Sequence, residues 1–175
     1  AGCDMLSEDR AGFTPARPRI PLKLTMQVLA FFRHYISDSS ESEALLNIYW
    51  DKERQEFVAD APEQVVTKIS VEGRISEKYM CDRYIHYMDI HSHNRMGAFF
   101  SAVDDHDERA TRLYTVIGRM DSPVPEIRTR ISNGGKFLDI NPAEVFELME
   151  EPYPGEWEEH VEVKKHHKKM IHKAA

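Results

Sequence analysis

The 175-residue sequence predicts one α+β domain, a mixed β-sheet flanked by helices. Three observations lead there. The hydrophobic content of 41% over a chain of this length suffices for one core. Apolar residues recur first at helical spacing and then in strand-like runs. The segments follow one another as helix, strands, a histidine-bearing strand, helix, strand, hairpin and helix, an order suited to a mixed sheet with helices packed on it.

Each element has its own grounds. Residues 1–20 are polar and carry the prolines of "TPARPRIP", so they read as a leader or linker. Residues 21–151 hold the periodic segments and form the domain. In "LKLTMQVLAFFRHYISD", Leu24, Val28, Phe31, Phe32 and Tyr35 fall on one helical face, and the polar "SDSSESE" ends the helix. "EALLNIYWD" reads as a strand, "KERQ" as a turn and "EFVAD" as the returning partner. "QVVTKISVEG", rich in β-branched residues, reads as one further strand. "YMCDRYIHYMDIHSH" reads as a longer strand with histidines at its end. From Ser101 to about Arg112 the pattern is helical, and "LYTVIGRM" is a buried strand. "EIRTRIS" and "KFLDI" form a hairpin around Asn133-Gly134-Gly135, which supplies the positive φ its turn needs. "NPAEVFELMEE" starts a last helix, with Asn141 as cap and Pro142 at the first helical position. Residues 152–175 form a charged tail.

Composition narrows the function classes. A net charge of −7 argues against a generic nucleic-acid or anionic-membrane partner. Cys3 and Cys81 match no CxxC pattern and are too few for a disulfide scaffold, so a reducing, cytoplasmic setting is expected. No apolar run reaches roughly 18 residues, the length of a membrane span. The N-terminal residues lack the basic and apolar regions of a signal peptide.

The chemistry concentrates in "MDIHSHNRMGAFFSAVDDHDE", Met88 to Glu108. His91 and His93 are two apart, so on an extended segment both imidazoles point to one side. Ser101 and Asp104 are three apart at the start of a helix and share a face. If that helix folds back on the strand end, Asp104 adds a carboxylate to the histidine pair. Two histidines and one carboxylate leave the fourth position of a tetrahedral zinc (Zn2+) open, which is a catalytic rather than a structural arrangement. Each piece has a plainer explanation: HxH arises by chance in a chain with nine histidines, and Ser-x-x-Asp also makes a helix capping box.

Taken together, His91-Ser92-His93, seven residues, then Ser101-Ala102-Val103-Asp104 resembles the JAMM motif of the MPN-plus metalloproteases, H-[ST]-H-x7-S-x2-D, at every defining position. The resemblance implies a JAMM/MPN-like fold over roughly residues 20–150. It implies that His91, His93 and Asp104 are zinc ligands and that Ser101 donates to an oxyanion. It also implies an upstream glutamate acting as general base on a water at the metal. Glu43, between the first helix and the first strand, fits best; Glu41 and Glu72 are the alternatives. The implied activity is zinc-dependent hydrolysis of a peptide or isopeptide bond, with protein or peptide substrates such as ubiquitin-like conjugates or precursors. The competing reading is a non-catalytic MPN-type scaffold. The chain departs from the family at Asn94, where many members have proline, and at Met88-Asp89-Ile90, where many have Gly-Trp-Tyr or similar. Asp89 shares a face with His91 and reads as a polar residue near a wet site, with orientation of that ring as the alternative.

Other zinc patterns fail. HExxH, HxHxDH and H-x-E…P-C-x-x-C are all absent, and a barrel amidohydrolase would need roughly 250 residues. Asp105, His106, Asp107 and Glu108 read as acids and a polar side chain at a helix start, where the dipole favours negative charge. Phe99 and Phe100 pack their loop or line a groove. Cys81 reads as a strand residue without a base partner. His166, His167 and His172 lie among lysines that repel a metal ion, so they read as a solvated tail.

Overall fold

The computed structural model describes residues 15–37, 39–148 and 153–164. Its elements are α1 (Leu22–His34), β1 (Leu45–Asp51), β2 (Glu56–Asp60), β3 (Glu63–Val66), β4 (Val71–Arg74), β5 (Tyr84–Ser92), α2 (Ala102–Asp107), β6 (Arg112–Gly118), β7 (Glu126–Asn133), β8 (Lys136–Ile140) and α3 (Glu156–Glu159). Six strands form one sheet in the order β2-β1-β5-β6-β7-β8, and β3 and β4 pair separately. Only β5 and β6 run parallel; their neighbours in the sheet are antiparallel. The fold is therefore α+β with a mixed sheet, as expected. A parallel pair cannot be closed by a tight turn, so residues 93–111, including α2, cross over between β5 and β6.

The sheet has one apolar and one polar face. Leu46, Ile48, Met88, Ile90, Leu113 and Ile117 are buried in one cluster with Val28, Leu29 and Phe32 of α1. Alternation along the strands turns the intervening residues away from that core. Ile20, at the end of the stretch read as a leader, is fully buried in the same core. It bridges to Phe146, and its backbone N–H donates to Val145 O at 2.7 Å. Glu147 then accepts from Leu22 N at 2.9 Å, placing an acid at the otherwise uncapped start of α1. No helix among the described residues is long and apolar enough to cross a membrane.

Several boundaries differ from the sequence expectation. The stretch 64–73 is two strands, not one. Thr67 and Ser70 close a turn through Thr67 N to Ser70 O at 2.8 Å and a hydroxyl contact of 2.7 Å. The turn joins β3 to β4, whose partners nearest to it are Val66 and Val71. The histidine strand starts at Tyr84, not Tyr79, because Glu77–Tyr79 is a 3-10 turn and Arg83 is held in the bend by Asp51 at 2.8 Å. Cys81 accordingly lies in an exposed bend rather than in a strand. The helix after Ser101 ends at Asp107, since Arg112 is already paired to Ser132 in the sheet. Among the described residues the last expected helix is only a 3-10 turn, Pro142–Glu144, although Asn141 does cap it by accepting from Ala143 N; residues 149–151 of that expectation lie outside the described residues. Val145 and Phe146 are instead buried, with Phe146 bridged to Ile20. The hairpin turn is as expected, with φ of 62° at Gly134 and 85° at Gly135.

Gly118, at the end of β6, matters for a different reason. A Cβ there would meet Met96 O at 2.4 Å, and Ala98 N and Gly97 C at 2.5 Å. The loop after His93 thus lies flat on the backbone of β6, and Arg119 N donates to Met96 O at 2.7 Å. Gly118→Ala is expected to destabilise the fold by about 1–3 kcal/mol through this overpacking. Thermal melting checks it; an unchanged melting temperature would mean that the loop yields freely.

Candidate metal centre

The polar face of the sheet delivers the first histidine. Met88 and Ile90 are fully buried on the core side, so Asp89 and His91 project to the opposite side. A β-bulge reinforces the polarity of that face. Ile48 pairs with Met88 but Tyr49 pairs with His86, leaving Tyr87 as the extra residue. Without it His86 would share a face with Met88; with it His86 joins Asp89 and His91. His93 lies one residue beyond β5, with its N–H bonded to Ile117 O at 2.8 Å. Asn94, buried and at φ 54°, then turns the chain back, and its side-chain amide donates to Lys68 O at 3.0 Å. Asn is among the few residues that tolerate this conformation.

The capping box and the ligand reading turn out to be compatible. Ser101 caps α2, and Asp104 N donates to Ser101 Oγ at 3.2 Å. Asp104 Oδ2 receives both Ser101 N–H at 2.6 Å and Ser101 Oγ–H at 2.7 Å. One carboxylate oxygen is thereby fixed by the cap, while Oδ1 lies 3.7 Å from His91 Nε2.

The resulting geometry suits an ion. His91 Nε2 and His93 Nε2 are 3.2 Å apart, and the ligand atoms of His91, His93 and Asp104 all lie within 4.8 Å of one another. A tetrahedral zinc with bonds of about 2.0–2.1 Å would hold its ligand atoms roughly 3.3 Å apart. These three residues can therefore hold a metal ion. Burial pushes both imidazoles below their ordinary value, against the opposing pull of Asp104, and so favours the neutral form a metal needs. Glu43 Oε1 is 4.0 Å from His93 Nε2, beside the trio rather than within it. Burial, reinforced by the charge of Asp104, raises the Glu43 carboxyl to about 7.

The alternatives to Glu43 lie elsewhere. Glu41 is engaged by Lys68 at 3.1 Å and Arg95 at 3.7 Å, and Glu72 is exposed on β4. Asp89 pairs not with His91 but with His86 Nε2 at 2.5 Å and Arg112 at 3.4 Å. The two phenylalanines separate. Phe99 packs its ring edge-on to His93 with centroids 4.6 Å apart, and Phe100 stacks on Arg130. His106 and Asp107 are exposed and pair with each other, but Asp105 and Glu108 both bind Arg130 and do more than complement a helix end. The sequence reading missed Arg130 and Arg112; the hydrogen-bond partners of both lie at least 20 positions away, which spacing does not reveal. His166, His167 and His172 fall outside the described residues.

A cleft of about 670 Å³ opens over the centre. Glu43, His91, His93, Ser101 and Asp104 line it, and Ile69, Met96, Phe99 and Val103 give it an exposed apolar margin.

The Glu43 environment sets a pH dependence for the metal-free protein. With a folded value near 7 against 4.5 when free, the folded state retains a proton that the unfolded chain releases between those values. The Glu43 contribution therefore falls as pH rises through that window. Glu43→Gln has no such proton to lose, so its melting temperature should exceed wild type by a margin that grows from pH 5 to pH 8. A pH-independent margin would place Glu43 in an unperturbed environment. No protein-family model and no curated protein matches the chain.

Proposed function

We propose that the chain is a zinc-dependent peptide or isopeptide hydrolase of the JAMM type. The observation that carries this reading is the convergence of His91 Nε2, His93 Nε2 and Asp104 Oδ1 on one point of a cleft with the Glu43 carboxylate beside it. Zinc bound there would supply Lewis acidity and bring the pKa of a water down toward about 7.

The side chains would divide the remaining work. Glu43, outside the ligand set but adjacent to it, accepts the water's proton and passes it to the leaving amine as the C–N bond breaks. Ser101 donates a hydrogen bond to the oxyanion that develops on the attacked carbonyl. To do so its hydroxyl must turn from Asp104 Oδ2, which the Ser101 N–H continues to hold. Phe99 and the other apolar residues of the margin exclude water and contact the substrate chain. Asn94 stands where many members of this family carry proline, and its φ of 54° is one that a proline ring cannot adopt. A ubiquitin-like conjugate or precursor is the substrate class the motif suggests.

Metal analysis and proteolysis test the reading together. Wild type should carry about one zinc per chain, as one open tetrahedral site requires, and His91→Ala or Asp104→Ala should lose it. Glu43→Gln should keep the zinc yet lower cleavage by about 100- to 10,000-fold. Failure to bind zinc at neutral pH would refute the metal centre. Zinc binding without cleavage across a panel of ubiquitin-like conjugates and peptides would favour a non-catalytic scaffold.

A further inference from the structure

The helix that carries Asp104 has little to hold it. α2 is six residues long and buries none of them. A helix this short is not stable on its own, and most helices are fixed by an apolar face that α2 lacks. Its capping box is internal to the segment and cannot anchor it to the sheet.

The anchor is Arg130 of β7. Its side chain is only 6% exposed, and each of its three guanidinium nitrogens is used. Nε and Nη2 donate to Glu108 Oε2 at 2.9 and 2.6 Å, and Nη1 donates to Asp105 Oδ1 at 2.6 Å. The flat faces of the group lie against Phe100 at 3.8 Å and Phe137 at 3.7 Å. Three of these four partners bracket Asp104 in sequence: Phe100 precedes the cap residue, Asp105 follows the ligand, and Glu108 closes the helix by donating its N–H to Asp104 O at 2.8 Å. Arg130 touches both sides of Asp104 without touching Asp104 itself. The two acids on its nitrogens offset its charge, so it can stand near a cation site.

We infer that Arg130 is the positioning residue of the metal centre: by gripping Phe100, Asp105 and Glu108 it holds α2 so that the free oxygen of Asp104 faces His91 and His93. This rests on the metal-binding reading above. The role needs arginine. Lysine is a point charge with no plane to insert between two rings and no rigid fork to reach two acids at once.

Cobalt(II) titration of metal-free protein tests the inference, because its visible absorption reports ligand geometry as well as affinity. Wild type should bind cobalt with a tetrahedral spectrum. Arg130→Lys should bind about 10- to 100-fold more weakly, the range typical when a residue supporting a ligand is lost, and with an altered spectrum. Arg83→Lys is the control, because Arg83 grips Asp51 through the same two nitrogens elsewhere in the fold. It should lower the melting temperature and leave cobalt affinity and spectrum unchanged. Asp105→Asn, at a half-exposed position, should weaken binding in the same direction as Arg130→Lys and decides the matter if Arg130→Lys does not fold. Wild-type affinity and spectrum in Arg130→Lys, or an equal loss in Arg83→Lys, would overturn the inference. Absence of cobalt binding by wild type would instead refute the metal centre on which it stands.

Discussion

Met88 and Ile90 are completely buried beneath α1, and a strand cannot bury both without turning Asp89 and His91 to its other face. The rest of the centre depends on this constraint. The core fixes the parity of β5, parity fixes the direction of His91, and the parallel pairing of β5 with β6 forces the chain into a crossover just beyond it. His93, Ser101 and Asp104 all lie on that crossover. Hydrophobic burial on one side of the sheet thus places polar chemistry on the other.

The electrostatics of the polar face are costly in the absence of a cation. Burial favours the neutral form of both imidazoles, and burial, reinforced by the charge of Asp104, raises the Glu43 carboxyl. A divalent ion would offset that charge and use the lone pairs that the imidazoles keep available. Arg130 adds a rigid charge farther out, but Asp105 and Glu108 consume it. The arrangement therefore favours cation binding and leaves the Glu43 carboxylate beside the three candidate ligands.

Much of this centre was legible in the sequence because its logic is local. His91 and His93 are two apart on extended chain, and Ser101 and Asp104 are three apart at a helix start, so spacing alone aligns each pair. Glu43 was placed by its position before the first strand, and its carboxylate does lie next to His93. Contacts between distant segments were not legible. Arg130 meets Glu108 and Asp105 only because β7 pairs with β6, and Gly118 is needed only because the His93 loop lies on it. The bulge at Tyr87 leaves no mark in the residue pattern. The turn at Thr67–Ser70 carries no sequence signal because it contains no glycine or proline. The helix after Ser101 was read as too long because its run of charged residues suits a helix surface, whereas the sheet claims Arg112.

X-ray absorption at the zinc edge of the loaded protein tests the central claim most directly, since it reports which atoms surround the ion. The structure predicts a four-coordinate shell of two imidazole nitrogens and two oxygens at about 2.0–2.1 Å. A shell containing sulfur at about 2.3 Å, or an oxygen shell without imidazole scattering, would show that the ion sits elsewhere and that His91, His93 and Asp104 do not form the centre.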